Sequence, residues 1–400
     1  MVALGLITAR ENLWYTCGRM QEKTFTFWRA VGMMIGSIVG VGVFGLPYAF
    51  AKAGVPLGLL LLLVLAAILT GMQLMFAEVV MQTKGKHRLV GYVREYLGTG
   101  WSRVAALAVG VSCWGVMVAY LITGGTFISG LLNPWVDVSP FYGTVFVALV
   151  VAAATYGGLK EMSKVEIGFI GCLLFLFAFM MLASLPHVQL GHLSVSHPDR
   201  WLLPYGVVLF ALSGVGVVPE LKDVLGKRLL PKLPAAIVYA MAAVTVLYGL
   251  FSVVVVGVTG TRTTQTAFGG LMPVLGSSFG FVAGLVGTVT VISVFAMLAL
   301  QMENMLRYDF GLSRRAAWVC TIGIPMTLFL LGMREFIPLI GFIGSVFGGL
   351  LGVIIVMTYE RMRRSPVCER HHCLNVPSFV SWGIALVFLI GLVSELVYSI

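Results

Sequence analysis

The tetrapeptide Gly-Val-Gly-Val occurs twice in this 400-residue chain, at 40–43 and at 214–217, each time inside a long apolar run. The first copy lies in Gly36-Ser-Ile-Val-Gly40-Val-Gly42-Val-Phe44, the second in Ser213-Gly214-Val-Gly216-Val-Val-Pro219-Glu220. Glycine at this density weakens a helix and lets another group approach the backbone closely. Inside hydrocarbon, an interrupted helix leaves N–H and C=O groups that lipid cannot satisfy. Such a break survives only where protein or a polar cavity meets it. The two copies therefore restrict the chain to folds that surround both breaks.

The runs themselves have the character of membrane spans. The chain is 59% hydrophobic and 10% charged, with a mean hydropathy of +0.99. A soluble domain typically carries about 25% charged residues, and a spanning helix needs about 20 mostly apolar ones. Eleven spans are expected, at 26–51, 55–82, 103–132, 140–157, 164–186, 200–221, 233–258, 277–306, 314–332, 335–360 and 376–398. Gly54-Val-Pro56, Asn133-Pro134, Leu185-Pro186 and Leu233-Pro234 mark junctions. No polar stretch between the runs is long enough for a soluble domain. Residues 1–24 lack the apolar core of a signal peptide and read as a short polar lead, with Met20 an alternative start.

The net charge of +10 is distributed as membrane topology requires, which argues against nucleic-acid binding. Of the 26 Lys and Arg residues, 22 fall on alternate segments that share one side, and only Lys52, Arg200, Arg262 and Arg334 fall on the other. The positive-inside rule places the N-terminus (1–25) in the cytoplasm and, with an odd span count, the C-terminus outside. Cys113, Cys172 and Cys320 sit in apolar runs; Cys17, Cys368 and Cys373 sit in segments expected in the cytoplasm and read as reduced thiols. Cys368-x-x-His371-His372-Cys373 lacks the second, distant pair that a structural zinc site uses. His187, His192 and His197 fall in a loop expected outside and read as solvated.

In this topology the two Gly-Val-Gly-Val copies lie in spans running in opposite directions. That is the pattern of a five-helix unit repeated with inverted topology, over 26–186 and 200–360, with 376–398 an added eleventh helix. At each break one half-helix ends in free N–H groups and the other in free C=O groups. The N–H end attracts a carboxylate and the C=O end a cation. An amino acid zwitterion accompanied by a cation matches both. No acidic residue lies within either break, which argues against cationic amino acids, and Val43, Val215 and Phe210 suggest an apolar pocket. No His/Asp or Ser/Lys cluster converges within the spans, so an enzyme is not expected.

Gly36-Ser-Ile-Val-Gly-Val-Gly-Val-Phe-Gly-Leu-Pro-Tyr-Ala-Phe50 and Leu209-Phe-Ala-Leu-Ser-Gly-Val-Gly-Val-Val-Pro-Glu-Leu221 resemble the first and sixth helices of the amino acid/auxin permease family. The aromatic amino acid permeases of bacteria are close relatives and are similar too. All belong to the amino acid–polyamine–organocation superfamily with the LeuT-type fold. The resemblance implies an all-α membrane protein and a secondary active transporter of neutral amino acids, coupled to Na+ or H+ and working by alternating access. It implies that the amides of Gly40, Val41 and Gly42 bind substrate carboxylate. It also implies that Phe210 and Ser213 cover the substrate and face its amine, that Ser37 stands where sodium-coupled relatives often have Asn, and that Tyr120 closes over the carboxylate; Val43, Gly214 and Gly216, from the breaks themselves, complete the expected site. A sodium site would draw on carbonyls of Gly36, Val39 and Val289 and the hydroxyl of Ser293, although Ile292 stands where the family pattern has a second hydroxyl. No cofactor other than the coupling ion is implied. The expected partners are the amino acid and the lipid bilayer, with no obligate protein partner. The expected location is the plasma (inner) membrane. An amino-acid sensor on the same fold, moving little substrate, is the alternative.

Glu78, Glu220, Glu303 and Glu395 sit in or near apolar runs, where carboxylates are costly and often functional. Glu220 follows the second break and suggests a gate contact with a group on the first or fifth span. Glu303 is spaced to pair with Arg307 one turn on. Glu78 and Glu303 are further coupling candidates.

Overall fold

The computed structural model describes residues 24–85, 87–133, 135–156, 162–194, 200, 202–308, 311–366, 368, 374 and 376–398. Residues 1–23, Lys160, His197 and His371-His372-Cys373 lie outside the described residues.

The architecture is all-helical. α1 (Thr24–Ile38) and α2 (Gly42–Ala53) are two halves of the first apolar run, bent by 59° where they meet. α3 (Val55–Gln82), α4 (Leu89–Leu132), α5 (Pro140–Tyr156) and α6 (Met162–Ser184) follow. α7 (Leu202–Ala211) and α8 (Val218–Leu229) are again two halves, separated by 212–217. α9 (Leu233–Thr259), α10 (Phe268–Tyr308), α11 (Arg314–Leu330), α12 (Phe336–Phe342), α13 (Gly349–Arg363) and α14 (Ser378–Tyr398) complete the chain. A π-helical stretch, Ile343–Gly348, joins α12 to α13 and packs on α7 beside Phe210.

Among the described residues, six stretches are long and apolar enough to cross a membrane, seven if α1 and α2 form one bent span. Leu202–Arg262 counts once there, although it contains α7, α8 and α9; Pro140–Tyr156 and Gly171–His187 are shorter apolar helices. The chain is a multi-pass membrane protein.

Two helices begin earlier than hydropathy predicts. α4 starts at Leu89 rather than 103, and α10 at Phe268 rather than 277. Each carries a leading helical segment that turns into the main rod at a glycine of positive φ, Gly98 (85°) and Gly276 (83°). Hydropathy sees only the apolar rod, because the leading segment need not cross lipid. Cys368, read above as a reduced thiol, is disulfide-bonded, and its partner lies outside the described residues.

Nine of the helices before α12 form two packed groups, while α12 and α13 contact both. α2, α3, α7, α8 and α9 contact one another; α4, α5, α10 and α11 form the second group. α6 touches α9 in the first group and α10 in the second. Buried aromatic rings cross the seam. Phe44 of α2 lies 5.2 Å from Phe177 of α6 and 5.4 Å from Phe127 of α4. Phe177 meets Phe251 of α9 at 5.1 Å, and Phe127 meets Phe268 of α10 at 4.9 Å. Such ring pairs contribute about 0.5–1.5 kcal/mol each beyond the area they bury. They fasten the groups together on the α2 side of the first break.

Candidate substrate site at the two helix breaks

At the first break, the last helical bond of α1 runs from the Val39 amide to the Ile35 carbonyl, 2.8 Å. α2 starts at Gly42. Val39, Val41 and Val43 are buried, Gly36 and Gly40 half-buried, and Ser37 exposed. The glycines are sterically required. A Cβ on Gly40 would stand 2.9 Å from the Tyr120 hydroxyl, and one on Gly42 would stand 2.8 Å from both Cα of Ala211 and the Phe210 ring. The resemblance to a closing tyrosine thus has a geometric counterpart: Tyr120 comes from α4 and its buried hydroxyl faces the Val41 amide.

At the second break, α7 ends with the Leu212 amide on Val208 O (2.9 Å) and the Ser213 amide on Phe210 O (3.2 Å). A 3-10 turn, Val215–Val217, closes with the Val217 amide on Gly214 O at 3.3 Å. Pro219 then falls in the first turn of α8, where its missing N–H leaves no bond unmade. A Cβ on Gly214 would collide with the Ile38 side chain, whereas one on Gly216 would meet nothing within 4 Å. Phe210 and Gly214 are buried, Val215 is half-buried, and Ser213 and Gly216 are exposed.

The two breaks therefore interlock. The end of α1 rests on Gly214, and the end of α7 rests on Gly42. Tyr248 of α9, fully buried, ties them: its hydroxyl lies 3.0 Å from the Ile38 carbonyl oxygen and 3.2 Å from that of Ala211, and it faces the Gly40 amide. With Gly40 and Val41 turned toward tyrosine hydroxyls, the amides of Gly42 and Val43 remain. They open α2 and have no partner within the helix. Sequence reasoning missed Tyr248. It is one of 13 tyrosines, in a run apolar on every face, so no periodicity singles it out.

The sequence pattern of the tryptophan/tyrosine permease family matches residues 23–314. The chain belongs to this family. A tyrosine permease of Enterobacter agglomerans is 24% identical over 239 residues, a match covering 56% of this chain and 57% of that protein, little more than half of either. Both names are those of permeases rather than enzymes. The crystal structure of MhsT in complex with L-phenylalanine is similar in fold, with a TM-score of 0.64, 15% identity, and coverage of 94% of this chain and 98% of that one.

The remaining candidates lie elsewhere in this permease chain. Ser293 donates to the carbonyl of Val289, 2.7 Å, so these two oxygens of α10 already engage each other. Among the described residues, no cluster of three or more His, Cys, Asp or Glu is placed to hold a metal. Glu220 pairs at 3.0 Å with Arg88, just before α4. The connection between α3 and α4 thus comes close to α8, a proximity no local spacing encodes. On the same side, Lys222 of α8 donates to Val80 O (2.7 Å) and Thr83 O (2.9 Å), meeting the carbonyl end of α3. Glu303 is buried and lies 3.6 Å from Arg307, as its spacing suggests, and 3.8 Å from Arg314. Buried Glu78 accepts from Gln82 at 2.8 Å, and Glu395 is half-buried on α14.

A cavity of about 340 Å³ is lined by Thr126, Phe141, Gln265, Phe329, Arg334 and neighbours. The Arg334 guanidinium lies 5.4 Å from the Phe141 ring and 5.5 Å from that of Phe329. It contains none of the predicted site residues.

Proposed function

We propose that the chain is a secondary active transporter that moves neutral amino acids with aromatic or branched side chains across the plasma (inner) membrane. The observation that carries this reading is the interlock of two broken helices, the second of which leaves Ser213 and Gly216 of its interruption exposed, while Ser37 is exposed in the last turn of α1 beside the first. Backbone at membrane depth is left irregular where it serves a cavity. The substrate carboxylate is assigned to the amides at 40–43, chiefly Gly42 and Val43, with Tyr120 over it. Ser213 and Gly216 are assigned to the amine side, and Val43, Phe210 and Val215 to the side chain. The absence of Asp and Glu from both breaks and the substrates named for the tyrosine permease and MhsT support this class.

The wider kinship is with the amino acid/auxin permeases. Eleven spans in two inverted five-helix units, 26–186 and 200–360, plus 376–398, fit the paired breaks and the paired glycine kinks at Gly98 and Gly276. The N-terminus is assigned to the cytoplasm. α1, α2, α3, α7, α8 and α9 are assigned to the moving group, which rocks against the rest. The drive is a Na+ or H+ gradient. The Gly36, Val39, Val289 and Ser293 oxygens would serve sodium, and a buried carboxylate such as Glu303 or Glu78 would serve a proton.

Uptake of labelled tyrosine, tryptophan, phenylalanine, leucine and lysine into proteoliposomes, under an inward sodium and then a proton gradient, tests this. Stimulation by one gradient, with lysine excluded, is the expected result. Binding without uptake under either gradient would replace transport by sensing.

A further inference from the structure

We propose that the Tyr248 hydroxyl is the positioning group that locks the two helix breaks to each other. The C-terminus of a helix leaves carbonyls unpaired and carries partial negative charge. Here two such ends, α1 at Ile38 and α7 at Ala211, are brought to one point inside a bundle. Two carbonyl ends facing each other without water repel, and a buried unsatisfied carbonyl costs about 1–3 kcal/mol. Something positive must stand between them. Where unwound carbonyls and half-helix ends meet in transporters, a coupling cation is one solution; here an O–H dipole occupies the place.

The side chain suits the task. Its ring is fully buried in α9, which packs on α2 and α3, so the hydroxyl is held by the same group of helices that carries both breaks. The single proton points to Ile38 O or to Ala211 O, at 3.0 and 3.2 Å, and rotation about one C–O bond exchanges them. The hydroxyl oxygen faces the Gly40 amide, an amide otherwise open to a ligand. One group thus sets three backbone positions around the assigned carboxylate site. That last point rests on the transport reading; the lock does not.

The test uses the full chain in lipid nanodiscs. Hydrogen–deuterium exchange is followed in peptides covering 36–44 and 209–217, for wild type, Tyr248→Phe and Ser252→Ala. Ser252 lies one turn further along α9, is buried, and has no hydrogen-bond partner for its hydroxyl, so it controls for disturbed packing. The expected result is about tenfold faster exchange at both breaks in Tyr248→Phe, the loss of one hydrogen bond, and no change in Ser252→Ala. Unchanged exchange, or a change at one break alone, would overturn the lock. Should the phenylalanine variant fail to fold, 3-fluorotyrosine at 248 provides a stronger donor of nearly the same shape. It should slow exchange at both breaks, and no slowing would overturn the proposal. Tyrosine and phenylalanine affinities measured on the same samples should fall about tenfold in Tyr248→Phe only. Wild type binding neither amino acid would count against the transport reading and leave the exchange result standing.

Discussion

At the first break a side chain on either glycine would strike something: the Tyr120 hydroxyl 2.9 Å away at Gly40, the Ala211 backbone 2.8 Å away at Gly42. At the second break only the leading glycine is confined, Gly214 by Ile38, while Gly216 looks into open space. The same four residues therefore serve a packed joint in one half of the chain and, in the other, half a joint and half an open wall. Glycine satisfies both demands, close approach in the first case and backbone access in the second. A repeated motif marks corresponding places in the chain; it does not mark equal roles.

This difference can be broken in order of size. Gly42→Val should have the largest effect, because the obstacle is backbone and cannot turn aside. Overpacking of this kind costs about 1–3 kcal/mol, and displacement of a positioned site by about 1 Å can cost about 100-fold in rate. Initial uptake per folded molecule, with folding followed by size-exclusion chromatography, should fall by about that factor. Gly214→Ala meets the Ile38 side chain rather than backbone, so some of the strain can relax; the expected loss is about tenfold, with a destabilisation of about 1 kcal/mol.

Gly40→Ala comes next. Its obstacle is the far end of Tyr120, and a double-mutant cycle with Tyr120→Phe should show coupling of about 0.5–3 kcal/mol in substrate affinity. Zero coupling would separate Tyr120 from the first break. Gly216→Ala should leave thermal stability within about 0.5 kcal/mol of wild type. Because the added methyl has room, any rise in KM would report substrate occupying that space. The smallest effect is expected at Arg88→Ala. Its ion pair with Glu220 is largely exposed, 66% and 39% for the two side chains, and such pairs are worth about 0–1 kcal/mol. A large loss of uptake in Arg88→Ala at unchanged stability would make that pair a gate.

Much of this organisation was legible in the chain. The helices form where the apolar runs lie, because lipid leaves the backbone no other partner than itself. They break at 39–41 and 212–217, where Gly-Val-Gly-Val and Pro219 weaken them. The Glu303–Arg307 pair follows from helical spacing alone. What stayed hidden depends on groups far apart in sequence. Tyr248 reaches Ile38 across 210 positions and Ala211 across 37. Lys222 caps α3 across 139 and 142 positions. Glu220 finds Arg88, 132 positions away. Hydropathy cannot reveal such pairings: the α9 run around Tyr248 is apolar on every face, and the charged residues of α8 carry no local sign of which connection they will meet.

Local composition by itself determined that the chain lies in a membrane, where its helices run and where two of them break, because those properties depend on hydrogen bonds within a few residues. Only the tertiary structure decided that the breaks interlock, that one is closed and the other open, and that a tyrosine hydroxyl stands between their carbonyl ends. Those depend on which helices pack side by side.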